Sequence, residues 1–235
     1  MTTPFKTWTV LPHGPPTQIN ERILTVVGEL KMPLLRLPRR MTVVRLTSGD
    51  LVVFSAVALD EPGMAGLEAF GRPAFLVVPS VMHRLDAPAY AQRYSNVTVV
   101  APRAGAEKIG EVVRVDTSAP SFGDSGVRYV ELAGDSVLEV DCHDGLTLVV
   151  NDLIGDIHEE SGIGGWLLRV MGFAGDDPHV PVPVKMLMGK HKSEVAHQFR
   201  RWAEHADLRR IIVSHGDPIV ANPQGVLRSL AASLD

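Results

Sequence analysis

A chain of 235 residues that is 45% apolar and 21% charged carries enough nonpolar surface to bury a substantial core, which excludes a disordered polypeptide. Its net charge of −4, without a basic block or a basic–aromatic patch, argues against nucleic acid and anionic membrane surfaces as partners. The single cysteine, Cys142, excludes an intramolecular disulfide and a cysteine-rich zinc cluster and fits a reducing compartment. Neither a signal peptide core nor an apolar run of roughly 18 residues is present, so the expected location is cytoplasmic.

No linker divides the chain, and residues 1–235 read as one domain with 1–39 as an N-terminal extension packing on it. RMTVVRL (40–46) and LVVFSAVAL (51–59) are β-branched runs joined by Thr47-Ser48-Gly49-Asp50, a short hairpin connection. EPGMAGLEAF (61–70) reads as a short helix. AFLVVPS (74–80) and NVTVVAP (96–102) have the continuous apolar character of strands buried on both faces. Between them LDAPAYAQRY (85–94) reads as a helix with Asp86 as N-cap and Pro88 in its first turn. EVVRVD (111–116), VRYVEL (127–132), SVLEVD (136–141) and LTLVVND (146–152) are expected strands, with Asp144-Gly145 turning between the last two.

The second half changes period. Ile163, Trp166, Leu167, Val170 and Met171 mark an amphipathic helix face, and Val195, Phe199, Trp202 and Ala206 mark a second helix over about 192–206. GDDPHVPVPV (175–184) reads as a loop, RIIVSHGDP (210–218) as a buried strand, and VLRSLAASL (226–234) as a closing helix. Hairpin-compatible strands with helices inserted and appended point to an α+β layered domain.

Phosphate-binding glycine loops and a G-x-S-x-G nucleophile elbow are absent from the sequence. Ser161-Gly162-Ile163-Gly164-Gly165 reads as a helix entry loop, and Cys142 and His143, adjacent on a strand, point to opposite faces and form no nucleophile–base pair. His191, His197 and His205 fall on a solvated helix face, and Trp166 and Trp202 are expected core anchors. The remaining pattern is chemical. His83 follows FLVVPSVM, Asp152 follows LTLVVN and His215 follows RIIVS. Three ionisable side chains, each just beyond a buried strand, would gather at one rim if the strands were neighbours and similarly directed. Imidazole nitrogen and carboxylate oxygen together suit Zn²⁺ or Fe.

The order of these segments resembles the metallo-β-lactamase superfamily. LTLVVND is similar to the strand ending in that superfamily's metal-bridging aspartate, and IIVSHGDP to the late strand ending in a ligand histidine. FLVVPSVMHRLDAPAYAQRY stands where the superfamily carries T-H-x-H-x-D-H followed by a helix. Pro79-Ser80-Val81-Met82-His83-Arg84-Leu85 further resembles the P-N-x-x-H-H-L segment of a divergent subfamily of unknown function. The resemblance covers roughly residues 40–235 and implies an αββα sandwich, two packed mixed sheets with helices outside. It also implies departures. Ser80 and Met82 stand on the first two histidines, and no histidine occurs in VRYVELAGD, where a third belongs.

The surviving ligands are therefore His83, Asp152 and His215, with His158 as a replacement ligand, and the cofactor is one Zn or Fe ion or none. The first reading is a degenerate metal site that has lost two-metal hydrolase activity and keeps a cleft for a small ligand. The second is a one-metal hydrolase of an ester, lactone or phosphoester, in which Asp152 is catalytic and Arg84 stabilises a developing oxyanion. The third is a structural subunit, homo-oligomeric through the apolar segment VPVPVKMLMG (180–189).

Overall fold

The computed structural model describes residues 4–32, 35–157, 169, 174–175 and 177–235. The first sheet holds β1 (Thr17–Gln18), β2 (Ile23–Met32), β3 (Leu35–Arg45), β4 (Asp50–Phe54), β5 (Arg72–Val77) and β6 (Thr98–Val100), in that spatial order. The strands from β1 to β4 are antiparallel, whereas β4, β5 and β6 are mutually parallel. Residues 23–32, which the sequence reading assigns to the N-terminal extension, thus form a full-length partner of β3. The second sheet has the order β10 (Leu208–Val213), β9 (Gly145–Val150), β8 (Asp135–Cys142), β7 (Val127–Leu132), with only β10 and β9 parallel.

Period-two alternation sorts each strand's side chains into two cores. Val44, Val52 and Phe54 face Leu138, Val140, Val149 and Ile212 in the layer between the sheets. Their neighbours Val43, Leu51 and Val53 face outward onto Met64 and Leu67 of α1 (Glu61–Phe70) and Tyr90 of α2 (Ala87–Arg93). On the second sheet Leu146, Leu148, Val150, Ile211 and Val213 pack under α5 (Lys192–Ala203) and α6 (Pro223–Ala232), where Phe199 and Trp202 are fully buried. Helices thus cover the outside of both sheets, giving four layers. Two short α-helices, α3 (Ala106–Gly110) and α4 (Val182–Met188), and two 3-10 turns, Arg103–Gly105 and Gly189–His191, complete the described elements.

Three expectations need correction. EVVRVD (111–116) is not a strand; it continues from α3 as a turn, and only its last residue reaches β6. There the Asp116 N–H donates to the Val99 carbonyl at 2.9 Å, its carboxylate accepts the Val99 N–H at 2.9 Å, and the isolated bridge between Val100 and Thr117 follows just past the segment. The VPV of the expected loop 175–184 begins α4, because Pro181 and Pro183 fix the extended entry and first turn of a helix. Asp86 precedes α2, but its carboxylate does not cap it. That carboxylate instead pairs with Arg39 and accepts the Ala58 N–H at 3.3 Å. The amphipathic helix expected over 163–171 lies outside the described residues, apart from the helical Arg169.

Candidate metal centre

The parallel strands aim their C-terminal ends at one rim. β4 ends at Phe54 beside Val77 of β5, and β9 ends at Val150 beside Val213 of β10. Ser55, the Pro79–His83 loop, Asn151-Asp152 and Ser214-His215-Gly216 follow directly. Cross-links between the sheets hold these ends together. Ser136 N–H donates to the Pro79 carbonyl at 3.0 Å, and Arg40 N–H donates to the Ser214 carbonyl at 2.8 Å.

His83, Asp152 and His215 meet there. His83 Nε2 lies 3.0 Å from Asp152 Oδ1, His215 Nε2 lies 3.1 Å from His83 Nε2, and His215 Nε2 lies 3.4 Å from Asp152 Oδ1. One ligand atom from each residue falls within 4.8 Å of the others. Tetrahedral bonds of about 2.0–2.1 Å to a divalent ion place neighbouring ligand atoms about 3.3 Å apart, so these separations match the edges of a coordination polyhedron.

The outer partners orient the rings. His215 Nδ1 lies 2.7 Å from the Pro38 carbonyl, which can only accept, so Nδ1 carries the proton and neutral His215 presents its Nε2 lone pair to the centre. Ser55 Oγ lies 2.8 Å from His83 Nδ1, and a hydroxyl can either donate to that nitrogen or accept from it. His83 Nε2 can therefore hold a proton between His215 and Asp152, or turn its lone pair to a cation. Without one or the other, two lone pairs and a carboxylate oxygen would face each other at close range. The donor set thus fits a single cation.

Burial alone would raise the Asp152 pKa, but His83 and His215 hold it well below the usual carboxylate range. Burial would lower His215, yet the Asp152 carboxylate and the Pro38 carbonyl bring it above the ordinary imidazole value. The second oxygen of Asp152 is already engaged, accepting the Ser80 hydroxyl at 3.2 Å, while Asn151 Nδ2 donates to Ser80 Oγ at 3.3 Å.

Two residues that carry the geometry escaped the sequence reading. Ser55 has φ +55° and is 4% exposed, a left-handed backbone conformation unusual for a residue with a Cβ. Asp135, in the segment where the resemblance calls for a third histidine, is buried beneath Asp152. Its carboxylate accepts the backbone N–H groups of Asp152 at 2.9 Å and Ser136 at 2.8 Å. Burial and the neighbouring Asp152 charge raise its pKa well above the ordinary value. The signal for Asp135 was its Gly-Asp position on a hairpin; Ser55 left none.

Among the described residues the cluster contains none of the other candidates. Arg84 donates to the Lys108 carbonyl and lies 3.7 Å from Glu111, so its described partners belong to the α3 region and not to the centre. Met82 is 59% exposed. His158 lies outside the described residues, as does Trp166. Trp202 is a core anchor whose indole N–H donates to Glu139 at 2.7 Å. A cavity of about 290 Å³, lined by Val27, Gly28, Glu29 and Arg36 among others, shares Pro38 with the centre.

No protein-family model and no curated protein matches the sequence. In three dimensions the chain is similar to a metallo-β-lactamase from Erythrobacter litoralis, solved with β-mercaptoethanol in its active site. The TM-score is 0.64 at 14% identity, over 93% of this chain and 96% of that one. It is also similar to the metallo-β-lactamase DIM-1, solved after exposure to ceftazidime, with TM-score 0.59 and 9% identity over 97% and 100% of the two chains. A metallo-β-lactamase from Pontibacter korlensis gives 0.58 and 12% over 92% and 98%. With its two mixed sheets, flanking helices and near-complete coverage of these structures, the chain has the metallo-β-lactamase fold.

Proposed function

We propose that His83, Asp152 and His215 hold one divalent transition-metal ion, zinc or iron, and that the protein is a mononuclear metal-dependent hydrolase of an ester, lactone or phosphoester. The observation that carries this reading is the orientation of His215. Its Nδ1–H is committed to the Pro38 carbonyl, so its remaining lone pair points at two other donors 3.1 and 3.4 Å away. A bound divalent ion supplies Lewis acidity at such a position, polarising an ester or phosphoryl oxygen and lowering the pKa of water toward about 7. The protein's own part is to present three ligand atoms and orient both rings. It also fixes Asp152 through Ser80 on one side and through Asp135, at its backbone N–H, on the other.

The dinuclear centre suggested by the resemblance is not part of this proposal. Ser80 occupies the second carboxylate oxygen of Asp152, and Met82 is turned to solvent. A second reading rests on the same contacts. The triad also closes through hydrogen bonds if His83 keeps a proton on Nε2, which describes a degenerate site in a non-hydrolytic, ligand-binding protein. Elemental analysis of protein purified without chelator separates the two. The hydrolase reading expects one tightly held equivalent of zinc or iron, together with hydrolysis of ester, lactone or phosphodiester probes that Asp152→Ala abolishes. Absence of metal uptake from a zinc buffer refutes it and leaves the proton-held site.

A further inference from the structure

We propose that the exposed end of α4 and the turn behind it dock on an anionic lipid bilayer surface. Leu187 is 84% and Met186 77% exposed, the most exposed large apolar side chains among the described residues, and Val182 on the same helix is 55% exposed. Met188 at the end of the helix is 2% exposed, and Pro181 just before it is also buried. The element is therefore anchored to the body while presenting its tip. Two consecutive large apolar residues in that position cost solvation free energy unless a partner covers them.

The surrounding charges select the partner. The sequence from Pro178 to Ser193 contains Lys185, Lys190 and Lys192 and no aspartate or glutamate. Lys190 and Lys192 are exposed and have no acidic partner within ion-pair distance among the described residues, while Lys185 reaches the Ser233 carbonyl at 3.4 Å. His191 is taken by Glu194 at 3.0 Å. An apolar tip followed directly in the chain by two exposed lysines matches the boundary between anionic headgroups and acyl chains, where lysine stems lie along the apolar layer and their ammonium groups reach phosphates. A second copy of the chain is a poorer match. A two-fold contact through this face would bring the lysines against their own symmetry mates. The net charge of −4 does not oppose the contact, because charges beyond about 10 Å are largely screened at roughly 0.1 M salt. No helix among the described residues is long and apolar enough to cross a membrane, so the association is a surface one.

Sedimentation of the full chain with vesicles rich in phosphatidylserine, against vesicles of pure phosphatidylcholine, tests this. At about five-fold per lysine, Lys190 and Lys192 give roughly 25-fold preference for the anionic vesicles. Lys190→Glu/Lys192→Glu removes most of that preference, and Met186→Ser/Leu187→Ser lowers partitioning into both vesicle types. All four side chains are exposed, so unchanged circular dichroism and melting verify the fold. Equal partitioning into the two lipids, or partitioning that neither variant changes, overturns the proposal. So does lipid-independent dimerisation dissolved by Met186→Ser/Leu187→Ser, which assigns the face to a second copy.

Discussion

Ser55 offers the sharpest test of the centre because its backbone and its side chain make opposite contributions. Its φ of +55° strains a residue with a Cβ by about 1–2 kcal/mol, a strain that glycine does not carry. Its hydroxyl, 2.8 Å from His83 Nδ1, serves the buried imidazole in either tautomer, and removing it leaves that nitrogen unpaired at a cost of about 1–3 kcal/mol. Ser55→Ala loses the hydroxyl and keeps the strain, so the metal-free protein should be destabilised by about 1–3 kcal/mol. Ser55→Gly loses both and should be more stable than the alanine variant by about 1 kcal/mol. Zinc affinity separates from stability, because either substitution frees the His83 ring and should weaken zinc by about 10–100-fold. Urea denaturation of the metal-free proteins and competition with a zinc chelator read the two quantities. A glycine variant less stable than the alanine variant refutes the strain argument. Wild-type zinc affinity in both variants would refute the orienting role of Ser55.

Three other perturbations probe the surroundings. Gly216 has φ +112°, and a Cβ added there would lie 2.0 Å from the Asp156 carbonyl oxygen; Gly216→Ala should therefore destabilise by about 3 kcal/mol or more and displace His215, measured by thermal melting and by zinc uptake. Removing bound metal with a chelator should lower the melting temperature by roughly 8–16 °C relative to protein held at about 1,000 times the zinc Kd, and Asp152→Ala should abolish that difference. Asp124, whose side chain is 4% exposed, accepts the Thr47 and Gly126 N–H groups and pairs with Arg22; although burial opposes it, these partners hold its pKa below the ordinary value. Its contribution is thus present above about pH 4 and lost as pH falls through the lower folded-state pKa, so the stability gap between wild type and Asp124→Asn should narrow on acidification in urea titrations.

The layers were legible because alternating and continuous apolar runs report burial directly, and the rim was legible because three such runs end in ionisable residues. The sequence placed His83, Asp152 and His215 at strand ends, and parallel pairing of β4 with β5 and of β9 with β10 brings those ends together. What stayed hidden depends on contacts rather than on pattern. EVVRVD has the composition of a strand, but it follows α3 at once and only its last residue, Asp116, hydrogen-bonds β6. Arg84 adjoins His83 in the chain, yet its side chain reaches the Lys108 carbonyl while His83 reaches Asp152. Asp135 carries no ligand signal because the resemblance asks for an imidazole there, whereas the structure uses a carboxylate to hold the Asp152 backbone. Ser55 is invisible in one dimension because its significance is a backbone angle set where β4 leaves the sheet.

The polar groups around Asp152 act as a set. A carboxylate that bridges two ions must offer an oxygen to each, and such a pair of cations needs a full complement of donors. Here Oδ1 faces the two imidazoles, while Oδ2 accepts a hydroxyl proton from Ser80, itself hydrogen-bonded by Asn151. Placing a histidine at position 80 alone would remove that donor and leave Asp135, not an imidazole, holding the Asp152 backbone N–H. Ser80→His should therefore lose stability without gaining a second equivalent of zinc, as elemental analysis can read. Two equivalents in that variant would show that the polar layer behind Asp152 is adaptable, and that the proposed one-ion stoichiometry rests on a single side chain rather than on the network.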